Sequence, residues 1–232
     1  MLEKYNETYE SEHYIFHFKK NSQASKDILK IVETQENCYK EITQLLKMAL
    51  SFKINYYLIE TREEVGLIYA KLKNDDDSAP CSAFTHHPDT IFCAYNEKIK
   101  CIGMHEDTHI ISYSIFRPKS AFLREGLAMF MDKVWHGISN EKCVYNLLNS
   151  GYDLSLEKLF NNEYFFKINC NISYPIAGAF VNFLVSNYGI DAFLNEIYYS
   201  NHSPIKQLNL RFQNEQELTK KFKNFIKTKI HQ

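Results

Sequence analysis

Two histidines four residues apart, His105 and His109, constrain this chain more than any other feature of its sequence. They frame His105-Glu106-Asp107-Thr108-His109, which reads His-Glu-x-x-His. On an α-helix, residues i and i+4 lie one turn apart on the same face, so both imidazoles can bind one metal ion. Glu106 lies roughly 100° around the helix, where it can take a proton from an attacking water and later return it. We therefore expect a helical zinc-hydrolase site with His105 and His109 as metal ligands and Glu106 as general base.

A catalytic zinc ion usually has three protein ligands, so a third ligand must come from elsewhere in the chain. A second helix, predicted to start near Lys119 or Ser120, carries Glu125 in an otherwise apolar run beside Gly126. A carboxylate in such a run needs a partner, and glycine is costly in a helix unless another backbone approaches closely. The pattern predicts that this helix presses against the metal-binding helix. The alternative is a surface carboxylate paired with Arg124.

The segment around this glutamate reads Leu123-Arg124-Glu125-Gly126-Leu127-Ala128. Together with the His-Glu-x-x-His segment, it resembles the gluzincin zinc metallopeptidases, the thermolysin-like clan, and within that clan the small peptidase-MA-like domains. The second motif of that family typically reads Trp-Leu-x-Glu-Gly-Leu-Ala, and Phe122 stands in place of its tryptophan. A weaker likeness extends over residues 174–184. The resemblance implies one zinc ion as cofactor, peptide-bond hydrolysis and Glu125 as the third metal ligand.

The same resemblance suggests further site residues. In the clan, a Tyr or His from the C-terminal helical part stabilises the developing oxyanion, and Tyr174 is our candidate catalytic residue, with His202 as the alternative. An edge strand before the metal-binding helix binds the substrate backbone, and we assign this substrate-binding role to Phe92, Cys93, Ala94 and Tyr95.

One position departs from the pattern of thermolysin-like enzymes. In those enzymes an Asp follows the ligand glutamate by four residues, but Met129 occupies that position here. Asp132 is a possible carboxylate for orienting the histidine ligands. The orienting carboxylate is therefore left unassigned.

Periodicity predicts an α+β fold with a small N-terminal mixed sheet, the helix carrying the His-Glu-x-x-His motif, and an all-helical C-terminal part. We expect one zincin-like domain over residues 1–232, with the sheet in 1–97 and the helical part with the metal site in 98–232. The predicted strands are 13–18, 54–59, 81–85 and 90–95. The predicted helices, besides the two already described, are 25–50, 63–72, 141–148, 175–188, 191–198 and 215–229.

Other potential ligands have simpler interpretations. His13 and His17 alternate with aromatic residues along a strand and are expected to form its solvated face. His86 and His87 are expected to be turn residues rather than a second metal site. The acidic turn at 74–77 lacks the Gly and distal Glu of a calcium loop, so we expect a solvated loop. Cys101, one turn before His105 on the expected helix, is interpreted as a neighbour of the site.

Composition excludes several classes of function. The chain is 45% hydrophobic and 24% charged, as in ordinary globular proteins. A net charge of -1 without a basic run argues against nucleic acid as a partner, and no apolar stretch approaches 18 residues, so we expect no membrane span. Six cysteines without a Cys-x-x-Cys pair and a polar N-terminus without a signal peptide favour a cytoplasmic protein, although a removed leader stays open.

Two other functions remain open. An aminopeptidase of this family carries an upstream Gly-x-Met-Glu-Asn segment, which this sequence lacks. We therefore expect an endopeptidase, or an exopeptidase of undetermined type, acting on peptide or protein substrates. A non-catalytic metal-binding or scaffold protein with the same fold is the other alternative. The presence of Glu106 argues against it, because a structural zinc site needs no general base and tends to have four protein ligands.

Overall fold

The computed structural model describes residues 2–74, 78–200 and 202–230. It is an α+β structure with a mixed sheet near the N-terminus and helices in the C-terminal part, as predicted. Contacts between residues divide the chain into two compact units, Met1–Ile115 and Phe116–Gln232. The first unit includes the His-Glu-x-x-His helix and so extends past residue 97, where we expected the sheet-containing part to end. Asp75, Asp76 and Asp77 of the acidic turn lie outside the described residues.

Five strands form the sheet in the described part of the first unit. They are β1 (Glu7–Glu10), β2 (Tyr14–Phe18), β3 (Ile54–Ile59), β4 (Ala83–His86) and β5 (Thr90–Ala94). Their order is β1-β2-β3-β5-β4, with β2, β3 and β5 parallel and β1 and β4 antiparallel at the two edges. β1 was not predicted, because its polar sequence Glu-Thr-Tyr-Glu lacks the apolar alternation of a half-buried strand.

Side chains alternate along β2 as predicted. Tyr14, Phe16 and Phe18 are buried, and the side chains between them are partly exposed. The two histidines near this strand make specific contacts rather than simply facing water. The Nδ1 of His13 lies 2.6 Å from a carboxylate oxygen of Glu36, and the ring of His17 stacks on Tyr57 at a centroid distance of 4.2 Å.

Three helices belong to the first unit. They are α1 (Gln23–Leu46), α2 (Arg62–Lys73) and α3 (Met104–Tyr113). Ser22 and Thr61 cap the N-termini of α1 and α2 through their hydroxyl oxygens, and Lys47 and Asn74 end these helices in the left-handed conformation. The left-handed Lys47 explains why α1 ends before residue 50, where we predicted its end.

In this unit the sheet packs against α2 through an apolar core. Val65 and Ile68 of α2 are buried in one cluster with Ile59, Phe84 and Phe92 from the strands. α1 packs against α3. Burial of apolar surface, worth about 25 cal/mol per Å², is the main source of stability for such a core.

The second unit consists mainly of helices. They are α4 (Ala121–Asp132), α5 (Asn140–Asn149), α6 (Leu156–Phe160), α7 (Asn162–Lys167), α8 (Cys170–Tyr188), α9 (Ile190–Ala192), which continues as a π-helical turn (Phe193–Tyr198), α10 (Pro204–Phe212) and α11 (Glu215–Ile230). The helices predicted over 141–148, 175–188, 191–198 and 215–229 are confirmed, although α8 begins five residues earlier than expected. No sequence prediction covered α6, α7 or α10.

α4 and α8 pack closely, and glycine allows this approach. A Cβ added at Gly126 of α4 would lie 2.9 Å from the Ala177 carbonyl oxygen of α8. A Cβ added at Gly178 of α8 would lie 2.7 Å from the Cβ of Met129. Real Cβ atoms do not approach other atoms so closely, so both positions need glycine. A close backbone approach at Gly126 is therefore present, but its partner is α8 and not the metal-binding helix that we expected there.

The expectation of an all-helical C-terminal part is wrong at one place. Val134–Trp135 (β6) and Ile138–Ser139 (β7) form a short antiparallel hairpin. His136 and Gly137, between the strands, have φ angles of 50° and 80°. Two successive positive φ values are those of a type I′ turn, which matches the twist of paired strands.

Within the described residues, no single helix has both the length and the apolar character needed to cross a membrane. One pair, Cys170–Tyr188 with Ile190–Tyr198, reaches that length and composition only jointly, and it is bent by 117°.

Candidate metal centre

His105 and His109 lie on the same side of α3. Gly103, which precedes the helix, has a φ of 143° that strains other residue types. The rings of His105 and His109 lie edge to face, with centroids 5.0 Å apart. His105 is half-buried and His109 is only 6% exposed. The i, i+4 spacing therefore places both imidazoles as the sequence predicts.

Glu125 lies near the middle of α4 and is 9% exposed. Ser120 is the N-cap of this helix: its hydroxyl oxygen accepts a hydrogen bond from the Leu123 backbone N–H at 3.4 Å. The neighbouring Arg124 donates to the backbone carbonyls of Pro118 and Lys119, each at 2.8 Å. Arg124 thus stabilises the loop before α4.

His105, His109 and Glu125 form a group that could hold a metal ion. One ligand atom from each side chain lies within 4.8 Å of the others. Donor atoms around a tetrahedral zinc ion lie about 3.3 Å apart, since zinc–nitrogen and zinc–oxygen bonds are about 2.0–2.2 Å long. No further His, Cys, Asp or Glu of the described residues joins the group. Two imidazoles and one carboxylate are a ligand set of catalytic zinc, so the donor chemistry fits the ion that the sequence predicts.

Glu106 does not belong to this group of ligands. Its side chain is half-buried, and its charge acts on a nearby thiol. Burial first, and the negative charge of Glu106 second, raise the pKa of Cys81. Cys81 lies two residues before β4, so Glu106 lies within electrostatic range of the start of this edge strand.

The opposite side of α3 carries a buried polar cluster that sequence reasoning missed. Asp107 is fully buried, and its Oδ2 accepts hydrogen bonds from the Tyr14 hydroxyl at 2.5 Å and the Gln35 amide at 2.9 Å. Burial, followed by the charge of Asp107, raises the pKa of Tyr14 well above its usual value. A carboxylate on the helix face away from the metal ligands was the signal that could have revealed this cluster.

A stack of aromatic rings lies beside His109. The ring of Tyr113 stacks on His109 at a centroid distance of 5.3 Å and on His87 at 5.5 Å. His86 is the exposed last residue of β4, and His87 follows in the turn. Neither belongs to a group of metal-binding residues among the described parts of the chain. His87 thus contacts the metal helix through Tyr113.

The predicted edge strand is wrong. Phe92, Cys93 and Ala94 lie on β5, which is paired with β3 on one side and β4 on the other, and Tyr95 follows directly. All four are at most 3% exposed. An unbroken buried run is typical of a central strand, so these residues are closed to addition of a further strand.

The open edge of the sheet on this side is β4. The Ala94 backbone N–H donates to the Ser82 carbonyl at 2.8 Å, and bonding alternates along antiparallel pairs. Ala83 and Thr85 therefore direct their backbone groups away from β5. The carbonyl of Ala83 accepts a hydrogen bond from the Cys81 thiol at 3.2 Å.

The two candidates for stabilising the oxyanion occupy different surroundings. Tyr174, half-buried on α8, packs its ring against Trp135 and Phe165 at centroid distances of 5.5 and 5.7 Å. His202 is exposed, and its backbone N–H donates to the Ser200 hydroxyl. The oxyanion-stabilising role of either residue stays a prediction.

Two other predicted neighbours have simple positions. Asp132, the last residue of α4, is half-buried, and its role as orienting carboxylate stays a prediction. Cys101 precedes α3 instead of lying on it, because the helix begins only at Met104. Its thiol pKa is raised, mainly by burial, and it does not join the metal-binding group.

Comparison of the chain with protein-family models, curated proteins and solved structures finds no match.

Proposed function

We propose that this protein is a zinc-dependent endopeptidase in which His105, His109 and Glu125 bind the metal. The observation that carries the proposal is the convergence of these three ligand atoms within 4.8 Å. His105 is partly exposed, whereas His109 and Glu125 are buried, so the group is reached by solvent at His105. This arrangement suits a catalytic ion, which keeps a position for water, better than a structural ion enclosed by four protein ligands.

When bound, zinc would act as a Lewis acid: it would lower the pKa of a bound water toward about 7 and polarise the scissile carbonyl. Glu106 takes the proton from the attacking water and delivers it to the leaving amine. Glu106 does not belong to the ligand group, as expected of a general base that is not itself a metal ligand.

Substrate binds as an extended strand beside β4. Ala83 and Thr85 offer outward backbone groups for this pairing, which gives affinity independent of side chains. The charge of Glu106 raises the pKa of Cys81, two residues before β4, and this supports a general base within electrostatic range of the edge. In this proposal the substrate backbone lies along the edge of β4 and Glu106 acts on the attacking water.

The test combines metal content with proteolysis. Wild-type protein is expected to contain one zinc ion per chain by elemental analysis and to cleave fluorogenic casein. Glu125→Ala should lose the zinc. Glu106→Gln should keep the zinc and lose about 10²- to 10⁴-fold in rate, the usual contribution of general acid–base catalysis.

Glu97→Gln is the matched control, because Glu97 is an exposed carboxylate of the same unit. It should leave zinc content and rate unchanged. Wild-type protein that takes up no zinc even when the ion is added would refute the proposal. Stoichiometric zinc with undiminished cleavage in Glu106→Gln would refute the role of Glu106. Hydrolysis of aminoacyl-coumarins but not of casein would identify an aminopeptidase instead.

A further inference from the structure

The polar cluster behind α3 joins three elements of the first unit. Tyr14 lies on β2, Gln35 on α1 and Asp107 on α3, and each of the three residues is 0% exposed. Besides its bond to Asp107, the Gln35 amide donates to the Gly103 carbonyl at 3.2 Å. The Tyr14 hydroxyl also lies 3.1 Å from the Gln35 carbonyl oxygen. The cluster therefore holds both the residue before α3 and the first turn of the helix.

Asp107 of the cluster lies on the side of α3 opposite His105 and His109. Each helical residue advances about 100°, so Asp107 lies about 160° from both His105 and His109. Side-chain atoms lie about 6 Å from a helix axis, and a rotation of 10° moves such an atom by about 1 Å. Functional sites require positions held to about 0.5 Å. Restraining Asp107 therefore restrains the direction of both imidazoles.

We propose that Tyr14, Gln35 and Asp107 are positioning residues that set the rotation of α3 and so direct His105 and His109 at the metal ion. This proposal rests on the proposed zinc site. The cluster suits the role because its hydrogen bonds are directional, whereas apolar packing against the sheet tolerates small rotations. Its full burial shields these bonds from competing water.

Tyr14→Phe tests this role, because it removes the hydroxyl and keeps the ring in the core. Tyr5→Phe is a matched control. Tyr5 is also a buried tyrosine of the first unit, 3% exposed, and its hydroxyl donates to a carboxylate, that of Glu64, at 2.7 Å. Glu64 lies on α2, so this bond does not involve α3.

Three quantities are measured for each variant: the zinc dissociation constant by competition with a chelating dye, the visible spectrum of the cobalt(II)-substituted protein, and the melting temperature. Both variants should melt below the wild type. Only Tyr14→Phe should weaken zinc binding, by roughly 10-fold, the low end of the effect of outer-shell partners, since the cluster acts through the helix. Only this variant should change the cobalt spectrum, which reports the arrangement of the ligands.

A lower melting temperature in Tyr14→Phe with wild-type zinc affinity and cobalt spectrum would overturn this proposal and leave the proposed function intact. Wild-type protein that binds neither metal would overturn both. If Tyr14→Phe does not fold, Gln35→Met replaces it. Methionine keeps the length of the side chain and removes the donor to Asp107, and the same results are expected.

Discussion

The close packing of α4 against α8 gives a quantitative prediction for Gly126→Ala. The added methyl group would lie 2.8 Å from the Cγ2 of Val181 and 2.9 Å from the Ala177 carbonyl oxygen. The valine side chain can rotate away, but the carbonyl belongs to the backbone of α8. The two helices must therefore separate by several tenths of an ångström.

Two opposing effects determine the free energy of unfolding of this variant. Alanine favours a helix interior over glycine by about 1 kcal/mol. Overpacking a core typically costs 1–3 kcal/mol, and we take about 3 kcal/mol here because a backbone atom is involved. The net expectation is a loss of about 2 kcal/mol, or a melting temperature lower by roughly 4–8 °C for a chain of this size.

The assay is thermal and denaturant unfolding followed by circular dichroism. Asn224, exposed on α11 of the same unit, provides the control. Asn224→Ala should be about 1 kcal/mol more stable than Asn224→Gly, because alanine favours an exposed helix position over glycine by about that amount. At residue 126 the order should reverse. A Gly126→Ala variant at least as stable as the wild type would refute the close approach of α8.

Two further predictions concern the first unit. Hydrogen bonds from Gln23, Tyr95 and Lys100 lower the pKa of Asp27 to about 2, below the value near 3.9 of an unfolded chain. The stability that ionised Asp27 contributes should therefore be present above about pH 4 and disappear as the pH falls toward 2. Denaturant midpoints across this range should converge for wild type and Asp27→Asn, and a constant difference would contradict the assignment. Tyr113→Leu should lose about 1–3 kcal/mol, because it removes two ring contacts worth roughly 0.5–1.5 kcal/mol each. Unfolding by denaturant measures this loss, and a Tyr113→Leu variant as stable as the wild type would contradict the stacking.

Elements with strong local signals could be predicted from sequence. β3 matches residues 54–59, and α2 and α11 match their predicted ranges within one residue at each end. These segments combine clear periodicity with recognisable ends, such as Thr61 before α2. β1 lacks such a signal in its own residues. It forms a strand because it pairs with β2.

The order of strands in the sheet could not be predicted from local patterns. β4 and β5 are consecutive in the chain, and either one could have been the outer strand. Pairing with β3, about 30 residues earlier, decides that β5 is central. The continuous apolar run from Phe92 to Tyr95 is typical of a central strand covered on both faces. This pattern was a better guide to the position of β5 in the sheet than the location of the run just before α3.

Part of the candidate metal site could be predicted from the sequence, but the polar cluster behind it could not. The i, i+4 spacing of His105 and His109 follows from helix geometry alone, and Glu125 stood out as a carboxylate in an apolar run. Asp107 was overlooked because its partners, Tyr14 and Gln35, lie more than 70 residues away in the chain. Such a cluster is visible only after the sheet and α1 bring those residues together.

The short edge strand β4 has a consequence for association between copies of this protein. An exposed sheet edge can pair with another edge and seed aggregation. β4 contains four residues, of which Ala83 and Thr85 direct backbone groups outward, and the Cys81 thiol already bonds to the Ala83 carbonyl. An edge this short spans only about 13 Å, so two copies meeting there could share no more backbone hydrogen bonds than the few that the edge offers to a substrate strand.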